Sequence, residues 1–326
     1  MRNSFYTAGF SEVMHEVKED PAEAAYRYTA SATASPLRGL TATIGPALFG
    51  TVKSARNLSV ALAADGEDGP RPMDLALTGI AACGVTTLLG GGSAQEIIFD
   101  AAEMVISYDT GSVRCLLEID GAADRDRLAT LVEQMRGFSP NMATMTLAVP
   151  MALRREADKR TEDVGDVEAE LTPAPTARRV RWISSTQLES HPADAPGAVA
   201  LRVDQPKQLT GVDWGPNPQE YLVMGLAADV AAHLYRLTAQ LTGERHTWEV
   251  RTSACEDMRG LLLKELDFVF LQDVECTVVV PAALRDDAVT DKIVRTAFAR
   301  SAVRDLITRP HPPAVDLVHI GDEVVP

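Results

Sequence analysis

A chain of 326 residues, 46% of them hydrophobic, is long enough for two domains that each bury a core of their own. Its 46 acidic against 31 basic residues leave a formal charge of −15, which argues against nucleic-acid or anionic-membrane partners, since these are held by clustered Lys and Arg that displace counterions. Four scattered cysteines (Cys83, Cys115, Cys255 and Cys276) form no C-x-x-C pair, so neither a disulfide framework nor a metal site is expected, and no cofactor is expected.

In chain order, the first twenty residues lack the apolar core of a signal peptide, and no run approaches the roughly 20 apolar residues of a membrane span. A cytoplasmic protein with reduced thiols is the expectation. Residues 11–29 are expected to form a polar helix broken at Pro21, and residues 40–65 a set of short β-prone runs punctuated by glycine. Residues 70–89, which start with Pro70 and Pro72 and have no polar face beyond the first turn, predict a buried helix ending at Gly90-Gly91-Gly92. Gly79, Cys83 and Thr87 recur at steps of four along it, a narrow face of small side chains that lets another helix approach.

Strands are predicted at 103–108 and 112–119 around the turn Asp109-Thr110-Gly111. A helix follows at 124–138, with Leu128, Leu131, Val132 and Met135 on one face, and a closing strand at 144–153. The charged, proline-ended stretch 154–176 buries little and reads as a linker. Beyond it the order repeats, with strands at 179–184 and 198–203, a central helix, strands near 247–252 and 267–280, a helix at 286–300 and a strand at 314–320. The reading is an α+β chain of two units, residues 1–155 and 177–326, joined by 156–176.

The central helix itself occurs twice. Residues 69–89 and 215–235 align without a gap at one offset (216 minus 70 is 146), pairing Gly69, Pro70, Pro72, Gly79, Ala81, Ala82 and Leu88 with Gly215, Pro216, Pro218, Gly225, Ala227, Ala228 and Leu234. Asp74 faces Glu220 in this alignment, Cys83 becomes Asp229, and Thr87 becomes His233.

This pattern resembles the superfamily of osmotically induced protein C (OsmC) and organic hydroperoxide resistance (Ohr) proteins, in which a G-x-N-P-E-x-L turn leads into a central helix containing A-A-C. The second copy keeps the turn as Gly215-Pro216-Asn217-Pro218-Gln219-Glu220, and the first keeps Ala81-Ala82-Cys83. The resemblance implies that two OsmC-like units form, within one chain, the dimer that such proteins make from two, with the central helices at the junction. It also implies a monomeric pseudo-dimer or a homodimer of it, and a thiol-dependent peroxidase in which Cys83 is oxidised by a small-molecule peroxide.

The family's second cysteine is Ser139 here, in Gly137-Phe138-Ser139-Pro140, so an external thiol would be the reductant. The family's glutamate, ten residues before the cysteine, is Met73 in one copy and Gln219 in the other, with Asp74 and Glu220 next to them. Arg38, Arg56 and Arg71 are all open as the activating arginine.

Read without the resemblance, Cys83 is first of all a small buried residue at a close helix contact. Asp229 and His233, one turn apart on an apolar helix, are either a mutually satisfied structural pair or an acid–base pair that tunes the Cys83 site; two ligands alone are too few to mark a metal site. Two other functions stay open: a non-redox enzyme that uses Cys83 as nucleophile, or Asp229 and His233 as acid and base, on a small metabolite, and a small-molecule binding module without chemistry.

Overall fold

The computed structural model describes residues 3–63, 69–109, 111–171, 174–285 and 289–320. The chain opens with helices α1 (Thr7–Glu19) and α2 (Pro21–Ala24), then strands β1 (Ala25–Ser35), β2 (Gly39–Ile44), β3 (Ala47–Phe49), β4 (Val52–Ser54) and β5 (Ser59–Leu62). The long helix α3 (Pro72–Ala94) follows, then the hairpin β6 (Phe99–Asp109) and β7 (Ser112–Gly121), helices α4 (Arg125–Phe138) and α5 (Pro140–Leu147), and strands β8 (Met151–Ala157) and β9 (Arg160–Asp163). The remainder is β10 (Thr176–Ser184), β11 (Gln187–Pro192), β12 (Leu201–Val203), α6 (Pro218–Thr242), β13 (Trp248–Asp257), α7 (Met258–Leu262), β14 (Gln272–Val279), α8 (Val289–Arg300), α9 (Ala302–Thr308) and β15 (Ala314–His319). The chain is α+β.

Two mixed sheets carry it, and each draws strands from both ends of the sequence. One has β1, β13, β14 and β8 side by side, and the other β10, β6, β7 and β15. In both, the first two pairings are antiparallel and the last is parallel. Alternating burial along β1, β6, β7 and β14 puts one face of each sheet against helices.

Helices α3 and α6 fill the space between. Both begin with proline at the first turn, where a missing N–H costs nothing. At the start of α6 the Asn217 side chain accepts from Glu220 N–H while the Glu220 carboxylate accepts from Asn217 N–H, a reciprocal cap; in α3 Asp74 accepts from Arg71 N–H at 2.8 Å. The helices then cross backbone to backbone. A Cβ on Gly79 would lie 2.5 Å from Pro218 O, and one on Gly225 would lie 2.9 Å from Ala76 N, so only glycine fits at either position. Asn141 of α5 fixes the crossing by donating from Nδ2 to Gly79 O and Pro218 O at 2.9 and 3.0 Å.

Several expected boundaries differ. Residues 25–29 belong to β1, not to the first helix, because alternating Tyr26 and Tyr28 are buried in the sheet. The glycine triplet does not end α3, which runs on to Ala94, since Gly91 and Gly92 let Leu131 and Phe99 pack on its last turn. Much of the expected strand 144–153 is α5, started by Pro140, and the strand begins only at Met151. The supposed linker 156–176 is no loose tether: Arg160–Asp163 turns back along β8, Val164 is buried, and Glu170 N–H reaches Ala299 O. Part of the helix expected at 286–300, residues 286–288, lies outside the described residues, as do Thr110 and residues 172–173 of the linker. Among the described residues one helix, α3, is long and apolar enough to cross a membrane, which the run lengths had not led one to expect; 78% of that stretch is buried inside the protein.

Candidate functional site

Cys83 sits at the midpoint of α3, 3% exposed, and borders a cavity of about 470 Å³. Three walls come from different parts of the chain. Thr7, Phe10, Ser11 and Met14 share one face of α1 at helical spacing, Leu131, Met135 and Phe138 come from α4, and Met258, Leu261 and Leu262 from α7. Gln205 and Gln219 bring amides, and Lys264 at the exposed rim is the single charged lining residue among those described.

Burial pushes the Cys83 thiol up to about 12, so it is neutral at neutral pH. The N–H of Asn141 and the hydroxyls of Ser139 and Thr87 pull the other way without overcoming burial, and Glu256 adds to the rise. Ser139 Oγ itself makes no hydrogen bond of ordinary geometry, and the Thr87 hydroxyl is committed to Cys83 O at 2.8 Å. Gln219 Nε2 also lies 4.0 Å from Cys83 Sγ. The other end of that amide, Oε1, is buried without a partner, as is Thr86 Oγ1.

Of the four candidate site residues Cys83, Glu220, Asp229 and His233, only Cys83 borders this cavity. Glu220 is fully buried at the start of α6, where Arg56 pairs with it and also with Asp213 at 3.1 Å. Burial raises the Glu220 carboxyl to about 7, with Arg56 opposing. Of the three arginines left open, Arg56 meets Glu220 and Arg71 lies 3.9 Å from Asp74, and none of the three borders the cavity.

Asp229 occupies the place of Cys83 in the second central helix, and its role there is visible. Its Oδ2 accepts from Ser301 Oγ at 2.8 Å and from Val303 N–H at 3.1 Å, at the start of α9. His233 Nε2 lies 3.7 Å from Asp229 Oδ1, too far for a hydrogen bond, and Arg236 approaches its Nδ1 at 3.2 Å. Cys83 faces the corresponding groups of α5, Ser139, which precedes its first turn without capping it, and Asn141 N–H. In both halves this position faces the first turn of the short helix that follows.

No group of three or more His, Cys, Asp or Glu side chains capable of holding a metal occurs among the described residues. The lining of the cavity was only partly visible in sequence. The stripe Thr7, Phe10, Ser11 and Met14 is an i, i+3, i+4, i+7 pattern that marks one helix face, but which cavity it covers depends on chain crossings that no local pattern encodes. Gln219 was marked by its place in the turn. No family model matches the chain, and no curated protein matches it significantly.

Proposed function

We propose that the chain binds a small, largely apolar molecule in the Cys83 cavity, on a fold of two OsmC-like units. The observation that carries this is the cavity itself, about 470 Å³, walled by Phe5, Phe10, Met14, Leu131, Phe138 and Leu261, with thiol and amide at its buried end. Such a volume and mostly apolar lining with a few polar groups is what metabolite-sized ligands occupy. The exchange of strands between the halves, in the same pairing order in both sheets, supports the tandem OsmC-like reading. Four free thiols suit a reducing compartment, so a cytoplasmic location goes with it.

The test is titration with the fluorescent apolar probe N-phenylnaphthylamine, comparing the wild type with Ala94→Trp, which places a large ring at an exposed lining position of the mouth. Saturable binding weakened by Ala94→Trp is expected. Absence of saturable binding, or binding indifferent to the substitution, rejects the proposal.

A second reading, the one the resemblance implies, is thiol-dependent reduction of an organic hydroperoxide. The Cys83 thiolate would attack the distal peroxide oxygen, the O–O bond would break, the alcohol would leave with the proton, and the sulfur would become a sulfenic acid. One external thiol would condense with it, releasing water, and a second would reduce the mixed disulfide. What favours this reading is that Cys83 faces the same helix start that holds the Asp229 carboxylate in the other half, a place that receives an anion. Glu220, Asp229 and His233 would then act only through the helices they hold. Peroxide-dependent labelling of Cys83 by a sulfenic-acid probe is expected on this reading, and an unlabelled Cys83 refutes it.

A further inference from the structure

Resting on the binding reading above, we infer that the ligand is an uncharged amphiphile whose polar end donates a hydrogen bond to Gln219 Oε1. Gln219 is 5% exposed and borders the cavity. Its Nε2 is turned towards Cys83 Sγ, and its Oε1 has no partner. A buried acceptor left unpaired is disfavoured by far more than a made hydrogen bond contributes, so a donor arriving through the cavity gains the difference.

The head group is uncharged for a separate reason. Among the described lining residues there is no acid and no arginine, and Lys264 stands on the exposed rim with its ammonium 5.8 Å from the Phe138 ring centre. A carboxylate at the Gln219 end would therefore be desolvated with no cation to meet it, which is costly. A cationic head would find no acid among these residues either. Thr86, whose buried Oγ1 is also unpartnered, lines the same cavity, and its hydroxyl suits a head group that can accept as well as donate. Primary alcohols and primary amides on an apolar body fit this set, and esters, which only accept, leave Gln219 Oε1 unpaired.

Competition against bound N-phenylnaphthylamine separates the possibilities, with decanol, decanamide, methyl decanoate and decanoate as displacers of nearly equal apolar length. In the wild type, decanol and decanamide should displace the probe more strongly than the ester and than decanoate. In Gln219→Leu, which removes the acceptor, the alcohol-to-ester ratio should fall by about tenfold relative to the wild type, and this ratio of ratios cancels differences in water solubility. Gln219→Met, nearer in length, replaces Gln219→Leu if the latter does not fold.

An unchanged ratio in a folded variant, or decanoate binding as tightly as decanol, overturns the inference while leaving the cavity reading in place. Failure of every displacer against a probe that does bind likewise overturns the inference alone, whereas absence of saturable probe binding overturns both.

Discussion

The neutral state of Cys83 has a direct kinetic consequence. Burial pushes the thiol from the ordinary range near 9 up to about 12. At any pH below both values the thiolate is then about a thousandfold scarcer than at an exposed cysteine, and alkylation slows in proportion because only the thiolate reacts. The assay is iodoacetamide labelling resolved by peptide mass spectrometry, with the half-buried Cys255 as internal reference. Cys83 should label far more slowly than Cys255, and its log rate should climb by about one for each pH unit from about pH 7 to about pH 10 without levelling. Ser139→Ala, which removes a hydroxyl that favours the thiolate, should slow it further. The linkage has a defined sign: with the folded pKa raised, the stabilisation is complete below the unfolded value near 9 and is lost as pH rises towards 12. A rate plateau below about pH 8, or Cys83 labelling ahead of Cys255, would refute the burial argument and shift the balance to the peroxidase reading.

Gly79→Ala should lower stability by about 1 to 3 kcal/mol or more in urea denaturation followed by tryptophan fluorescence, because its Cβ would overlap the α6 backbone. Gly90→Ala, in the same helix with open space around it, should be neutral or stabilising by up to about 1 kcal/mol. Asp229→Ala should cost about 1 to 2 kcal/mol through the lost contacts to Ser301 and Val303, with probe binding in the cavity unchanged; a binding change would place Asp229 in the site. Burial raises the Glu256 carboxyl to about 7, so stability it contributes is complete below about 4.5 and is lost as pH rises through 7, and Glu256→Gln should flatten the melting temperature between these values. Proteolytic cleavage near the exposed Gly165 should leave the two fragments together on size-exclusion chromatography, since β1 pairs with β13 and β10 with β6 across the cut.

Elements whose formation depends on local chemistry were legible in the sequence. Asp124 capping α4, with its side chain accepting from Arg127 N–H, and the apolar face Leu128, Leu131, Val132 and Met135 appear where the pattern put them. The reciprocal glycines 79 and 225, seen as a face of small residues, mark the real crossing of the central helices. Elements decided by distant partners were not. Residues 140–147 carry the apolar and β-branched mixture of a strand and become a helix because Asn141 and Thr144 find partners at Gly79, Pro218 and Leu271. Asp229 and His233 look like a pair by spacing, yet Asp229 spends its hydrogen bonds on α9, a helix that was not anticipated. The cavity likewise depends on α1 meeting α7 across most of the chain, and only the stripe on α1 hinted at it.

The strand exchange between the halves also governs how the chain comes into being. When only the first half has left the ribosome, β1 and the β6–β7 hairpin already exist as sequence, but the neighbours of β1 and β6 in the sheets, β13 and β10, are still unmade. Gly79 in α3 likewise waits for the backbone of α6. Such a nascent half carries apolar strand edges and an apolar helix with nothing to cover them, the condition in which chains aggregate or recruit a holding chaperone. Both sheets close through pairings as distant as Ala25 with Asp257 and Ala314 with Arg114, so neither is complete until the second half has been made, and contacts this non-local favour slow folding.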